Sequence, residues 1–309
     1  MSAQMMWILF SIIIGIMMLI DLGVFNKKSH EIKTKEALIW TGVWMSLAFS
    51  FMGVVYLWHG KTSALEFMAG YLIEQSLSVD NLFVFLLIFS HFRVPPKYQH
   101  KILFWGILGA VVMRAIFISV GVALVHEFHF IMYIFGALLV FSGIRIVTEK
   151  GEEIDFEKNL IVRFCRRFMP VLNDYDGGGF FVKRHGKRYV TLLFVILIII
   201  EVSDLVFALD SIPAVLAVSR DPFIIYTSNI FAILGLRSLF FALSGLMGYF
   251  HYLKYGLSVI LCFIGGKMLV SGFYEVGIVL SLSVICLILI VSVVASLIWP
   301  KQKHHAHKA

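Results

Sequence analysis

Uninterrupted apolar runs of about 20 residues recur along almost the whole chain, and they constrain its fold more than any other feature. A run of this length is what an α-helix needs to cross a lipid bilayer. With 60% hydrophobic and only 15% charged residues, the chain carries more apolar surface than one water-soluble core can bury. The sequence therefore predicts an all-α polytopic membrane protein. It excludes a disordered chain, a disulfide scaffold and a soluble enzyme with a single anchor.

The apolar runs are separated by charged segments and predict about nine transmembrane helices. They cover Met5–Phe25, Ala37–Trp58, Ala64–Phe89, Ile102–Val125, Phe130–Val147, Tyr189–Val218, Phe223–Phe250, Tyr255–Tyr274 and Val276–Trp299. Of the 26 Lys and Arg residues, 20 fall in alternate loops. Because cytoplasmic loops retain positive charge, this pattern places the N-terminus outside and the C-terminus inside.

Five carboxylates lie within the predicted spans, where an ionised side chain costs at least ~2.5 kcal/mol. They are Glu74, Asp80, Glu201, Asp204 and Asp210. The surrounding segments, E-Q-S-L-S-V-D-N and E-V-S-D-L-V-F-A-L-D-S-I-P, add hydroxyl and carboxamide oxygens. Hard oxygen donors suit Mg²⁺, Ca²⁺ and Mn²⁺, so the segments predict two halves of a divalent-cation site. The alternative is a set of structural ion pairs with the basic residues in or near the spans, Arg114, Arg145, Arg237 and Lys267.

Helical geometry limits how this site can form. At about 100° per residue, Glu201 and Asp210 point to opposite sides of a straight helix. Pro213 cannot donate a hydrogen bond to the carbonyl of Leu209, and its ring clashes there. We therefore expect this helix to kink or unwind around Asp210.

The longest segment outside the predicted spans covers residues 148–188. It is too short for an independent core, and its run Gly177–Gly179 is typical of a flexible linker. Three cysteines, Cys165, Cys262 and Cys286, lie far apart in the sequence, so no disulfide framework is expected.

Three segments of the predicted spans three to five recur in spans six to eight, at offsets of 130, 123 and 129 residues. They are the acidic pairs Glu74/Asp80 and Asp204/Asp210, the sequences around Arg114 and Arg237, and the glycine-containing stretches from Gly136 and Gly265. A duplicated unit of three helices has opposite topology in its two copies. Secondary transporters place their substrate at the interface of such inverted repeats. Arg114 and Arg237 are the predicted counter-charges of the empty site.

This duplication divides the chain into five predicted parts. Residues 1–63 hold two N-terminal helices and a cytoplasmic loop, and residues 64–147 hold the first three-helix repeat. Residues 148–188 form a cytoplasmic loop, residues 189–274 the second repeat, and residues 275–309 the last helix and a cytoplasmic tail.

The two acidic motifs resemble the signatures of the TerC family of integral membrane proteins, and the length and basic central loop are most similar to its Alx-like branch. The resemblance implies Mn²⁺ efflux across a bacterial inner membrane. It also implies a set of ion-binding residues. They are Glu74, Asp80, Glu201, Asp204, Asp210, Ser78, Asn81, Ser203 and Ser211.

The first hypothesis is a secondary transporter that exports Mn²⁺ by alternating access, without ATP because the chain has no nucleotide motif. Carboxylates that release a cation can also accept protons, so proton antiport is a coupling to test. We expect the lipid bilayer and Mn²⁺ as partners, and no enzyme activity, resident cofactor or nucleic acid. A second hypothesis is supply of manganese to exported enzymes, with secretion machinery as a partner. A third is an intramembrane aspartyl hydrolase that uses Asp80 and Asp210 as a proton-sharing pair.

Overall fold

The computed structural model describes residues 3–25, 34–128, 130–148, 171–172, 178–184, 187–244, 252–274 and 276–298. Within these ranges the chain is almost entirely helical. The helices are α1 (Ala3–Phe25), α2 (Thr34–His91), α3 (Pro96–Glu127), α4 (Ile131–Thr148), α5 (Leu192–Leu216), α6 (Pro222–Leu234), α7 (Leu236–Ser244), α8 (Leu253–Val270) and α9 (Ile278–Ile298). Three short strands are also present: β1 (Val171–Leu172), β2 (Phe181–Arg184) and β3 (Lys187–Thr191).

Seven of the described helical segments are long and apolar enough to cross a membrane, with α6 and α7 counted together as one segment. The described side chains of α1 cover a shorter apolar stretch, Met5–Met17. The predicted class, a helical polytopic membrane protein, is therefore confirmed. The count of nine spans and the N-out orientation stay predictions.

Helix α2 is two helical arms joined at Gly60. Gly60 has φ +85° and ψ −177°, a conformation that favours glycine because it has no Cβ. The rings of Phe51 and Phe67, on either side of Gly60, have centroids 5.5 Å apart. In a straight helix these residues would be separated by about 24 Å. The first arm (34–59) therefore folds back on the second arm (61–91), which agrees with the two separate apolar runs in this part of the sequence.

The centre of the molecule is α6. All of its residues from Phe223 to Leu234 are buried except Tyr226, which is half-buried. It packs against both arms of α2 and against α3. Helix α9 differs from α6 in its burial, because only 17% of the residues in its most apolar 18-residue stretch are buried. A polar side chain on α6 is therefore enclosed by protein, whereas most of α9 is exposed at the surface, as expected for a lipid-facing helix.

Helices α4 and α8 cross at a pair of glycines. A Cβ on Gly136 would lie 2.9 Å from the carbonyl oxygen of Gly265, and a Cβ on Gly265 would lie 2.6 Å from that of Gly136. Two flanking contacts are related in the same way. Gly143 lies against Cys262, and Gly272 lies against Tyr133. An offset of 129 residues converts Gly143 into Gly272 and Tyr133 into Cys262, so each contact is the counterpart of the other. The paired residues run in opposite directions along the two helices. The interface is therefore antiparallel and self-complementary, the property of surfaces related by a two-fold axis.

A small sheet precedes α5, with strand order β1-β3-β2. It is fixed to the helices because Lys101 Nζ donates to the carbonyl of Gly178 at 2.6 Å. Thr191 Oγ1 donates to the carbonyl of Gly179 at 2.7 Å. The carbonyls of Gly178 and Gly179 therefore have hydrogen-bond partners in Lys101 and Thr191, and the flexibility of the glycine run stays a prediction. Gly177 and most of the 148–188 segment lie outside the described residues.

Helix α5 is continuous through Asp210 and Pro213, so the predicted unwinding is wrong. The physical reason is the position of the proline, three residues before the last residue of the helix. Pro213 deprives only one carbonyl, that of Leu209, of its donor. The following turn still closes, because the Ala217 N–H donates to the Pro213 carbonyl at 3.0 Å.

Candidate ion-binding site

A single guanidinium group, that of Arg114, lies at the centre of the candidate site. Arg114 is on α3 and is 1% exposed. It forms an ion pair with Glu74 of the second arm of α2, which is fully buried. Its Nη2 lies 3.6 Å from Oδ1 of Asp204 on α5. A charge buried to this degree needs such partners, because the cost of removing it from water is several kcal/mol.

Two neutral oxygens also accept hydrogen bonds from this cation. Nη1 of Arg114 donates to Oγ of Ser211 at 3.1 Å and to Oδ1 of Asn229 at 2.9 Å. Four oxygen-bearing side chains from the second arm of α2, α5 and α6 thus converge on one guanidinium. We name this group the central cluster: Glu74, Arg114, Asp204, Ser211 and Asn229.

Helical spacing explains why these residues meet. On α5, Asp204 and Ser211 are seven residues apart, which is two turns, so they face the same side. On the second arm, Glu74 and Ser78 are one turn apart and both are fully buried. Oε2 of Glu74 and Oγ of Ser78 have no hydrogen-bond partner within the described part of the chain. Buried oxygens of this kind normally have a partner, so these two atoms are available to a ligand.

A third carboxylate, Glu201, lies beside the central cluster. It is half-buried on α5 and interacts electrostatically with Asp204. Its carboxylate packs so closely on Gly109 of α3 that a Cβ there would overlap it. With Glu74, Asp204 and Glu201 ionised, the three carboxylates and Arg114 carry a net charge of −2. One divalent cation would neutralise this charge.

Asp210 lies on a different side of α5. Ser142 Oγ of α4 donates to its Oδ1 at 2.7 Å, and Arg145 interacts with it electrostatically. The structure therefore separates Asp210 from Asp204 and directs it towards α4. This is the placement that the straight-helix geometry gives, since α5 does not unwind.

The remaining predicted site residues differ in their surroundings. Ser203 Oγ donates to the carbonyl of Ile199 in its own helix at 2.8 Å. Asn81 is buried in the second arm. Arg237 is buried in α7, and its predicted role as a counter-charge stays a prediction. The backbone of Asp80 lies in α2, but its side chain is outside the described part. Among the His, Cys, Asp and Glu side chains that are described, no group of three or more is close enough together to hold a metal ion.

Sequence reasoning missed Asn229. This residue is uncharged, so a search for carboxylates in apolar spans passes over it. A signal was nevertheless present, since Thr227, Ser228 and Asn229 are three consecutive polar residues in an apolar segment, and all three are fully buried. Such a run inside a membrane-spanning segment indicates contact with polar groups on neighbouring helices.

The fold and the central cluster define a class: a polytopic helical membrane protein with ionisable side chains buried between its spans. The chain matches the integral membrane protein TerC family over residues 59–304, and it belongs to that family. The predicted family is thereby confirmed. No solved structure matches the chain.

Relatives match over nearly the full length. The chain is 48% identical over 299 residues to the uncharacterized membrane protein STKORF319 of Myxococcus xanthus, which covers 97% of this chain and 93% of the relative. It is 41% identical over 312 residues to a protein of Escherichia coli (strain K12) whose name describes a membrane-bound redox modulator, Alx, with 98% and 97% covered. A Salmonella typhi protein of the same name is 42% identical over 302 residues, with 95% and 94% covered.

Proposed function

We propose that this protein is a secondary transporter that exports Mn²⁺ across the bacterial inner membrane through the central cluster. One observation carries the proposal: four oxygen-bearing side chains from three packed helical segments converge on a buried cation, the guanidinium of Arg114. Oxygens that surround a guanidinium can also coordinate a hard divalent cation. In this scheme Arg114 holds the empty site together, and an arriving ion takes its place.

Two further features support ion binding at this point. Glu74 Oε2 and Ser78 Oγ offer buried lone pairs that Arg114 does not use. When Glu201 is ionised together with Glu74 and Asp204, the net charge with Arg114 is −2, which one divalent ion neutralises. A site built only as a structural ion pair would need neither the extra carboxylate nor the unused oxygens.

The reciprocal contacts of α4 and α8 support alternating access. An antiparallel, self-complementary interface is expected where two inverted repeats meet. The contacts of α4 and α8 are related by an offset of 129 residues, which is also the offset between the glycine stretches that begin at Gly136 and Gly265. In transporters of this architecture, one repeat moves against the other around a fixed site. The central cluster joins residues of both proposed repeats, since Glu74 and Arg114 belong to the first, and Asp204, Ser211 and Asn229 to the second.

The choice of Mn²⁺ rests on family resemblance and on the hard character of the donors. Mg²⁺ accepts the same octahedral oxygen geometry, and Ca²⁺ prefers more ligands at longer distances. A competition series of Mg²⁺, Ca²⁺ and Mn²⁺ on the purified protein decides between them.

The test of the function is Mn²⁺ flux in proteoliposomes. Glu74→Gln and Asp204→Asn each remove one charge of the central cluster with little change of shape, and each is expected to abolish most of the flux. Glu127→Gln is the matched control, because Glu127 is an exposed acidic residue in the last turn of α3. Flux that persists in both cluster variants overturns the assignment.

The names of the Alx relatives suggest a second candidate function, modulation of the cell's redox state. Expression of Glu74→Gln in cells distinguishes this redox function from ion export. The two measurements are the manganese content of the cells and the oxidation state of their thiols. If the redox effect follows from ion export, the two readouts change together. A redox effect that survives the loss of Mn²⁺ export favours a separate activity.

A further inference from the structure

A polar cavity of about 370 Å³ lies at one end of the helices, apart from the central cluster. Its lining includes the carboxylate residue Glu66 of the second arm and the two basic residues Lys267 and Arg220. It is bordered by residues 216–220, which include the last residue of α5 and the four residues after it, and by the end of α8 near Ser271. In the predicted N-out orientation, all of these segments are at the outer face of the membrane.

The charges of this cavity are arranged around Glu66. Ser219 Oγ donates to Oε2 of Glu66 at 2.6 Å, and Ser219 is itself 3% exposed. Lys267, in the last turn of α8, interacts electrostatically with Glu66. Helices α5 and α8 both end here, and the C-terminal end of a helix is electrically negative, which favours a cation. A carboxylate and two helix C-termini thus attract positive charge to one place, and Lys267 supplies some of it.

The cavity lies in line with the central cluster. Glu66, Gly70 and Glu74 follow one another at intervals of four residues, so they share a face of the second arm, and Glu66 lies about 12 Å along the helix from Glu74. Between them Gly70 packs against α6, where a Cβ would come within 2.8 Å of Ser228 Oγ. About two helical turns, closely packed at Gly70, therefore separate the two sites.

On this basis, and resting on the proposed export function, we propose that the cavity is the outer vestibule of the ion pathway. Glu66 receives the cation that leaves the central cluster, and the ammonium group of Lys267 competes for Glu66 and promotes release. Glu66, Lys267 and Arg220 carry a net charge of +1, which opposes re-entry of a divalent cation from outside. The vestibule is therefore built to release the ion more readily than to capture it.

The experiment measures Mn²⁺ binding to the full-length purified protein by electron paramagnetic resonance, in a Glu74→Gln background that weakens the central cluster. We expect one residual weak site. Lys267→Met removes the competing cation and should tighten this site about fivefold, the size of effect of a partly exposed charge pair. Glu66→Gln should abolish it. Lys267→Gln is a second variant that keeps a polar side chain in α8.

Arg220→Gln is the matched control, since it removes a positive charge from the exposed rim of the same cavity. It should change the affinity less than Lys267→Met does. Equal effects of the two variants, or a residual site that is insensitive to Glu66→Gln, would overturn the inference.

Flux measurements on the same variants separate this inference from the proposed function. In proteoliposomes that transport Mn²⁺, Lys267→Met should increase the inhibition of efflux by Mn²⁺ added at the vestibule side. Unchanged inhibition overturns the vestibule while export stands. Vestibule binding that follows the expected pattern in a protein without any Mn²⁺ flux overturns the export function alone.

Discussion

Asp204 and Asp210 lie six residues apart on the same helix, yet their surroundings differ. Asp204 is buried and contributes to a cluster with a cation and oxygens from the second arm of α2 and from α6. Asp210 is half-buried and binds Ser142 of a single neighbouring helix, α4. The two side chains lie about 120° apart around the helix axis. The comparison teaches that a carboxylate in a span becomes part of an ion site only where other helices bring complementary donors to the same face.

Among the variants that test this difference between Asp204 and Asp210, Arg114→Met is expected to cause the largest loss of stability. It leaves Glu74 and Asp204 without their cation, and breaking a buried ion pair in this way costs about 3–5 kcal/mol of unfolding free energy. Thermal unfolding in detergent measures the loss. Because a divalent ion can replace the missing charge, added Mn²⁺ should stabilise Arg114→Met more than it stabilises the unmodified protein.

Arg145→Met is the matched change beside Asp210. Arg145 is exposed on α4, and an exposed pair contributes at most about 1 kcal/mol. The difference between Asp204 and Asp210 disappears if the two Arg variants lose the same stability, or if Mn²⁺ stabilises both equally.

A smaller loss is expected from Asn229→Ala. The Asn229 amide oxygen accepts a hydrogen bond from a charged group, and such bonds contribute about 1.5–3 kcal/mol. Mn²⁺ affinity should fall as well, since the variant removes one oxygen donor. Thr227→Val is the control on the same helix, because among the described residues Thr227 Oγ1 donates to the α6 carbonyls of Phe223, at 2.7 Å, and Ile224, at 3.3 Å. Equal losses of Mn²⁺ affinity in both variants would remove Asn229 from the site.

Gly109→Ala tests the position of Glu201. A methyl group at this site overlaps the Glu201 carboxylate, and overpacking of this kind costs about 1–3 kcal/mol. We expect reduced Mn²⁺ flux with the unfolding temperature lowered only moderately. Gly42→Ala is the control, since Gly42 is also within a helix and nothing lies within 4 Å of an added Cβ. Unchanged flux in Gly109→Ala would show that Glu201 does not need its present position.

The sequence alone was sufficient to predict the apolar helical segments and to identify the charged members of the central cluster. Apolar length determines where a span lies, so the run Phe130–Val147 predicts α4 (Ile131–Thr148) to within one residue. A carboxylate in a span is costly enough to be recognised without a structure, and Glu74 and Asp204 were found in this way.

What the sequence could not provide depends on tertiary packing. Asn229 carries no charge penalty. The polar run Thr227–Asn229 indicates its segment, but only the contact with Arg114 places Asn229 in the site. The separation of Asp204 from Asp210 depends on which helices pack on each side of α5. The sheet at β1–β3 is stabilised partly by Lys101, which is distant in the sequence from Gly178, whose carbonyl it binds. Each of these features is a contact between elements rather than a property of one segment.

The smallest effect compares two serines that contact charged groups on the two sides of α5. Ser142→Ala removes the hydrogen bond to Asp210, whose half-buried carboxylate keeps its electrostatic interaction with Arg145. We expect a loss of about 0.5–1.5 kcal/mol. Ser211→Ala makes the same chemical change in the buried central cluster, where no water replaces the hydroxyl, and should cost about 1.5–3 kcal/mol and lower Mn²⁺ affinity. Unfolding in detergent and Mn²⁺ titration measure both. If Ser142→Ala loses as much unfolding free energy as Ser211→Ala, or more, the surroundings of Asp210 on the side facing α4 are as tightly packed as the central cluster. Asp210 would then be as good a candidate ion ligand as Asp204.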